Sequence, residues 1–209
     1  MTFRDRSQAG RELAQKLQEW LTDKTNVIIL GLPRGGVIVA KEVAKALKKP
    51  LDILVVRKLG YPGNPELAMG AIGEEGNPIF HPDLSGGVDE VYKQEEIARQ
   101  KEELARRLRE YRGGRTLNLR GKTVIIIDDG IATGLTVEAA IESVKRLGAA
   151  KVIVATPVAA ADTVTRLTPK VDDFVALFIP PIFYAVGQFY EEFPQTTDEE
   201  VKRSLRGQR

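Results

Sequence analysis

Two adjacent carboxylates, Asp128 and Asp129, follow four β-branched residues, Val124 to Ile127. They precede a turn rich in small and hydroxyl residues, Gly130-Ile131-Ala132-Thr133-Gly134-Leu135-Thr136. The β-branched run predicts a buried strand, and open parallel sheets gather ligands at the C-terminal ends of their strands. Gly130 and Gly134 allow a tight turn with backbone close to a ligand, while Thr133 and Thr136 add hydroxyl donors where the next helix starts. Unpaired amides at a helix N-terminus, together with the helix dipole, favour a phosphate group there. Asp128 and Asp129 accept hydrogen bonds and cannot serve that anion, so their natural partners are sugar hydroxyls or a hydrated Mg²⁺. The plainer alternative is that the pair merely ends a strand and caps a helix.

Three further groups carry chemistry. Arg34 stands before Gly35 and Gly36, where a guanidinium could fork onto two phosphate oxygens and the glycines would clear the approach. Arg57-Lys58 puts two cations side by side, able to neutralise a departing anion or simply to face water. Near the end, Phe183, Tyr184, Phe189, Tyr190 and Phe193 cluster after Pro180-Pro181. Such rings could stack on a planar ligand or could fill a hydrophobic cluster or dimer contact. The only histidine, His81, lies in a His-Pro-Asp turn and is read as a surface residue.

The elements that must position these groups alternate between strand and helix, the pattern of a parallel sheet flanked by helices. A first helix is expected over Ser7 to Leu21, capped by Ser7, with Leu13, Leu17, Trp20 and Leu21 at helical spacing. A strand at Asn26 to Gly31, a helix at Val37 to Leu47 and a strand at Leu51 to Val56, after Pro50, make one βαβ unit. Arg57-Lys58 would end that strand. The polar stretch Gly60 to Pro65 reads as a loop, and Ala68 to Phe80 as two short strands joined at Glu74 to Pro78. Val88 to Arg112 is a charged, largely solvated helix with one narrow contact stripe at Val91, Ile97, Leu104 and Leu108. A second series follows: strand to Asp128, helix Gly134 to Leu147, strand Lys151 to Thr156, helix Ala160 to Leu167, strand Asp173 to Ile179. A last helix, Asp198 to Leu205, begins behind a Thr197 cap.

Composition narrows the chemistry. The 209 residues, 43% hydrophobic, suit one domain with a single substantial core. The absence of cysteine removes disulfides, thiolate metal sites and cysteine nucleophiles, and a lone histidine removes any multi-histidine metal cluster. With 31 basic and 29 acidic side chains the formal charge is +2, which does not recommend nucleic acid as a partner. No apolar run reaches the twenty or so residues that span a bilayer, and the start is too polar for a signal peptide. The expectation is a soluble, cytoplasmic protein.

Thr123 to Thr136, TVIIIDDGIATGLT, resembles the 5-phosphoribosyl-1-pyrophosphate (PRPP) signature of the type I phosphoribosyltransferases: apolar strand, two acids, then a small-residue loop ending in Thr-Gly-x-Thr. The resemblance implies that Asp128 and Asp129 hold the ribose 2′ and 3′ hydroxyls and that Gly130 through Thr136 hold the 5′-phosphate. It further implies that Arg34, Gly35 and Gly36 hold pyrophosphate on a short loop of unusual peptide conformation. Arg57 and Lys58 would be the basic pair before a mobile catalytic loop, here Gly60 to Leu67 or longer. Residues 180–196 would form a hood over the base, with Phe183 or Tyr184 stacking and Val186 and Gly187 reading its edge through backbone groups. Mg²⁺ is the implied cofactor, held mostly indirectly by the acidic pair, and a nitrogenous base the implied acceptor. The implied fold is an α/β parallel-sheet core over about 26–179 with an inserted charged helix, 88–112, and a C-terminal aromatic hood. A homo-oligomer is compatible with it.

One departure is informative. Where the 6-oxopurine branch usually carries an aspartate beside the purine N7, this chain has Ala132, which cannot transfer a proton. That argues against a hypoxanthine-guanine acceptor and is compatible with adenine, orotate, uracil or another base. The rival reading is a PRPP or nucleotide sensor that keeps the pocket and regulates a partner.

Overall fold

The computed structural model describes residues 1–21 and 25–206. Five strands form a parallel sheet in the order β2-β1-β6-β7-β8: β1 (Val27–Gly31), β2 (Leu51–Ile53), β6 (Thr123–Ile127), β7 (Lys151–Val158) and β8 (Asp173–Phe178). Side chains alternate strictly across it. Val27, Ile29, Ile125, Ile127 and Ile153 face one core, and Ile28, Leu30, Val124, Ile126 and Val154 face the other. Burial of both faces is why these strands read as unbroken apolar runs rather than as an alternation.

On the first face lie α1 (Arg6–Trp20), α2 (Gly35–Leu47) and α7 (Asp198–Leu205); on the second lie α5 (Leu135–Arg146) and α6 (Ala161–Leu167). Helix α7 and its capping box at Thr197 and Glu200 match the expectation. Helix α1 begins one residue earlier than expected: Asp5, not Ser7, is its cap, accepting from the Gln8 amide at 2.7 Å. The side chain of Trp20 lies outside the described residues.

The middle of the chain departs most from expectation. Arg57-Lys58 does not end the second strand. It opens β3 (Arg57–Tyr61), which pairs antiparallel with β4 (Asn64–Ile72), itself paired with β5 (Pro78–Phe80). The stretch expected as a loop at Gly60 to Leu67 is thus a hairpin, turning at Gly63 with φ +72°. Its period-two signal is broken by Gly60, Pro65 and Gly70, and the register shifts on both sides of Gly60. Gly70 is needed for packing, since a Cβ there would lie 2.4 Å from the Ile79 carbonyl oxygen.

The short α3 (Pro82–Ser85) leads into α4 (Glu90–Arg112), which packs Ile97 against the small sheet and Leu104 against the main core. Leu108 joins that stripe but Val91 is exposed, and the helix is less solvated than expected because Glu96, Gln100 and Arg112 are buried. Arg112 forks onto Glu74 at 2.6 and 2.8 Å and donates to the Ile53 carbonyl at 2.7 Å.

Candidate active site

Strand β1 has β2 on one side and β6 on the other, so the chain reverses its direction of sheet growth there. The crevice beyond the C-terminal ends of β1 and β6 is the topological switch point. Gly31 pairs with Ile127, and the Leu32 amide donates to the Ile127 carbonyl at 2.9 Å. The two turns singled out in the sequence therefore leave the sheet side by side.

Their contact is intimate. The Pro33–Arg34 peptide bond is cis, the unusual conformation implied for this loop. A Cβ on Gly35 would fall 1.9 Å from Asp129 Oδ2, and one on Gly36 would fall 2.7 Å from the Ile127 carbonyl oxygen and 2.8 Å from Asp128 Cα. The glycines thus admit the acidic pair itself, a role their sequence did not disclose. Because the Gly36 neighbours are backbone atoms with little room to move, Gly36→Ala should destabilise the fold by about 1–3 kcal/mol, measured by denaturant unfolding.

Asp128 accepts from the Asp129 amide at 2.9 Å. Burial, and then the neighbouring Asp129 charge, push its carboxyl well above the usual carboxylate range. Asp129 is held by Arg6, whose Nε donates to Oδ2 at 2.7 Å while Nη1 donates to the Pro194 carbonyl at 2.8 Å. The guanidinium also lies 3.8 Å from the Phe193 ring centroid. Tyr190 donates to the Asp129 carbonyl at 2.6 Å, and burial followed by the Asp129 charge raises its hydroxyl pKa. Arg6 was not foreseen. A cation in the first turn of a helix opposes the macrodipole, and that was the one local hint that it has an acidic partner elsewhere.

The turn after Asp129 has its carbonyls tied down. Thr163 donates to the Ala132 carbonyl at 2.5 Å, and Arg166, itself paired with Glu138, donates to the Thr133 carbonyl. In a planar trans peptide the N–H points opposite to the C=O, so these bonds turn the Thr133 and Gly134 amides away from α6. They join the amides that the first turn of α5 leaves without helical partners. Gly134 has φ +69°, and its missing Cβ leaves room for Thr163. Gly130 likewise admits the Val186 side chain, so Val186 touches the turn through its side chain. Thr133 is exposed and Thr136 half-buried, which leaves both hydroxyls near the surface.

The remaining candidates divide. Arg34 caps α2 with its guanidinium 3.8 Å from Asp198 Oδ1. Arg57 and Lys58 line a cavity of about 350 Å³ that also contains Pro33 and Thr136, so the basic pair does meet both turns. A second cavity of about 450 Å³ brings Ala132 and Thr133 together with Asp162, Pro180, Phe183 and Tyr184. Phe183 leans on Phe189, ring centroids 5.2 Å apart, while Tyr184 is 85% exposed. The two rings named as stacking candidates are thus unlike: one belongs to an aromatic cluster and the other projects outward. Gly187 sits against Phe193. His81 is half-buried with its Nδ1 enclosed and unpartnered among the described residues, not the plain surface residue expected.

An open parallel sheet that gathers these turns at its switch point is an α/β fold of the kind that handles nucleotides and sugar phosphates. The chain belongs to the phosphoribosyl transferase domain family, whose model matches residues 4–192. A provisionally named phosphoribosyl transferase, found in two strains of Mycobacterium tuberculosis, is 48% identical over 202 residues, or 95% of this chain. The chain spans 45% of the length of those relatives. Among solved structures, TT1426 from Thermus thermophilus superposes with a TM-score of 0.84 at 43% identity, covering 100% of this chain and 99% of that one. A purine phosphoribosyltransferase from Pyrococcus horikoshii superposes with a TM-score of 0.50 at 25% identity, covering 94% and 96% of the two chains. No helix among the described residues is long and apolar enough to cross a membrane.

Proposed function

We propose that the protein moves the phosphoribosyl group of PRPP to a nitrogenous base, with inversion at the anomeric carbon and release of pyrophosphate. The observation that carries this reading is the contact of Gly35 and Gly36 with Asp129 and Asp128, which sets a pyrophosphate-type loop against a ribose-type acidic pair. Asp128 and Asp129 accept from the ribose 2′ and 3′ hydroxyls. The outward amides of Thr133 and Gly134, with the Thr133 and Thr136 hydroxyls, hold the 5′-phosphate. The ribose acquires oxocarbenium character as its bond to pyrophosphate lengthens, and Arg57 and Lys58 stabilise the charge that grows on the leaving group, joined by Arg34 once its guanidinium turns from Asp198 toward the ligand. The cavity between Ala132 and the hood, lined by Phe183 and Tyr184, receives the base.

Mg²⁺ fits this donor set. Two neighbouring, half-buried carboxylates suit an ion that takes one or two carboxylates and fills its shell with water and substrate phosphates. Among the described residues no group of three or more His, Cys, Asp or Glu side chains could cage a metal, so Asp128 and Asp129 would hold it mainly through ribose hydroxyls or water. Bound there, it supplies charge neutralisation of the pyrophosphate.

The acceptor is the open variable. Ala132 carries no proton-transferring group at the position the 6-oxopurine branch uses, which weighs against 6-oxopurines; the carboxylate lining the same cavity is that of Asp162. The test is pyrophosphate release from PRPP and Mg²⁺ across a panel containing adenine, hypoxanthine, guanine, orotate and uracil. Turnover with one member, and not with hypoxanthine or guanine, is expected. Tight PRPP binding with silence across the panel would instead make the protein a PRPP sensor.

A further inference from the structure

Helix α4 has no task in the scheme above, yet it builds most of one wall of the cavity beside Arg57 and Lys58. That cavity is lined by four basic side chains, Arg57, Lys58, Arg99 and Arg107, and by one acid, Glu96. The acid is already committed. Glu96 is 3% exposed and accepts from the Gly60 amide at 3.0 Å, from Gln100 Nε2 at 3.0 Å and from Arg99. Its charge is absorbed in fixing the β3–β4 hairpin to α4, with Tyr92 gripping the Gly60 carbonyl from the other side at 3.2 Å.

The two inner guanidiniums are presented in the same way. Arg57 donates through Nε to Gln100 Oε1 at 2.9 Å, and Arg107 donates through Nε to Glu103 Oε1 at 2.8 Å. A guanidinium anchored at Nε keeps its terminal Nη pair as a fork, the geometry that grips two oxygens of a phosphate. Pro33, of the cis-peptide loop, and Thr136, of the phosphate-type turn, line the same cavity. Crowding of like charge is also evident at Arg57, whose pKa is pushed down first by burial and next by Arg107.

We propose that α4 supplies Arg107 as a further binding residue for the pyrophosphate moiety, in a four-cation pocket with Arg57, Lys58 and Arg99. This rests on the PRPP reading of the neighbouring turns and deepens it: the inserted helix is part of the site that receives the leaving group. Glu103 acts through Arg107, holding its Nε so that the fork points inward. The hydrogen bond from Arg106, against a smaller opposing effect of burial and with a further hydrogen bond from Arg107, holds the Glu103 carboxyl down at about 2, so the anchor is charged at neutral pH.

The experiment titrates inorganic pyrophosphate and ribose 5-phosphate separately into the full chain, by calorimetry, for wild type, Arg107→Gln and Arg107→Lys. Arg107→Gln should weaken pyrophosphate roughly tenfold or more, the loss that follows deletion of a charge-assisted pair of hydrogen bonds. Ribose 5-phosphate affinity should stay within about twofold, and Arg107→Lys should recover only part of the loss because an ammonium cannot fork. Unchanged pyrophosphate affinity in Arg107→Gln overturns the proposal while leaving the PRPP reading intact, as does equal weakening of both ligands by both variants. Wild type that binds pyrophosphate in an Arg107-dependent way but does not bind ribose 5-phosphate supports this pocket and removes the PRPP reading. Wild type that binds neither overturns both.

Discussion

Arg6→Met should lower the stability of the fold by about 3–5 kcal/mol, the range found when one partner of a buried ion pair is removed. The side chains of Arg6 and Asp129 are only 10% and 15% exposed, so little water screens the pair. Methionine keeps much of the packing on Phe193 but removes the donors to Asp129 and to Pro194. Two adjacent carboxylates would then share a half-buried crevice with the ion-pair partner of Asp129 gone, and the hood would lose the Arg6 bond to Pro194. For a chain of this length the fall in Tm is on the order of 10 °C. Adding Asp129→Asn to Arg6→Met should restore part of it, because the uncompensated charge, rather than the lost contact, carries most of the cost. Thermal unfolding of the two single variants and the double closes the cycle. A fall of less than about 1 kcal/mol in Arg6→Met, or no recovery in the double, would show that Asp129 does not depend on this cation.

Asp128→Asn has an opposite pair of effects. The asparagine carbonyl can still accept from the Asp129 amide, but the variant no longer carries a half-buried negative charge beside a second one. Stability should rise by about 0.5–2 kcal/mol, as happens when a strained functional group is relieved, while affinity for PRPP falls roughly 10- to 100-fold with the loss of a charged acceptor. The pH dependence follows from the raised pKa. The folded protein binds the Asp128 proton more tightly than the unfolded chain, so this residue destabilises the wild type increasingly as pH rises through the ordinary carboxylate range and up through the folded-state value. The gap between variant and wild type should therefore be small in acid and widen toward neutrality. A gap that is constant from pH 4 to pH 8 would contradict the assignment.

The sheet and the turn at Asp128 to Thr136 were legible in the sequence because each rests on local signals. Val124 to Ile127 can only be buried, and the order of acids, glycines and threonines is dense enough to point to the family. The residues that complete the site carry no such signal. Arg6 lies 123 positions from Asp129, and Thr163 and Arg166 reach back 31 and 33 positions to fix the carbonyls of Ala132 and Thr133. Nothing in a helix sequence announces that its threonine will orient another segment's peptide planes. The β3–β4 hairpin was hidden for a different reason: glycine and proline, which usually mark loops, here serve a bulged strand pair whose second strand packs on β5 tightly enough to exclude a Cβ at Gly70. The charged helix misled in the same way, since its mixed composition described the solvated face and concealed Glu96, Gln100 and Arg112 beneath it. The hood aromatics were visible as a cluster, but only the fold separates the half-buried Phe183 from the projecting Tyr184.

Titration of PRPP with Mg²⁺ into the full chain by calorimetry, for wild type and for the Asp128→Asn/Asp129→Asn double variant, decides whether the crevice between the two turns is a phosphoribosyl site. Saturable binding to the wild type and no measurable heat from a double variant that still unfolds cooperatively is the outcome foreseen here. A wild type that takes up no PRPP, or a double variant that binds it as tightly as the wild type, would contradict it.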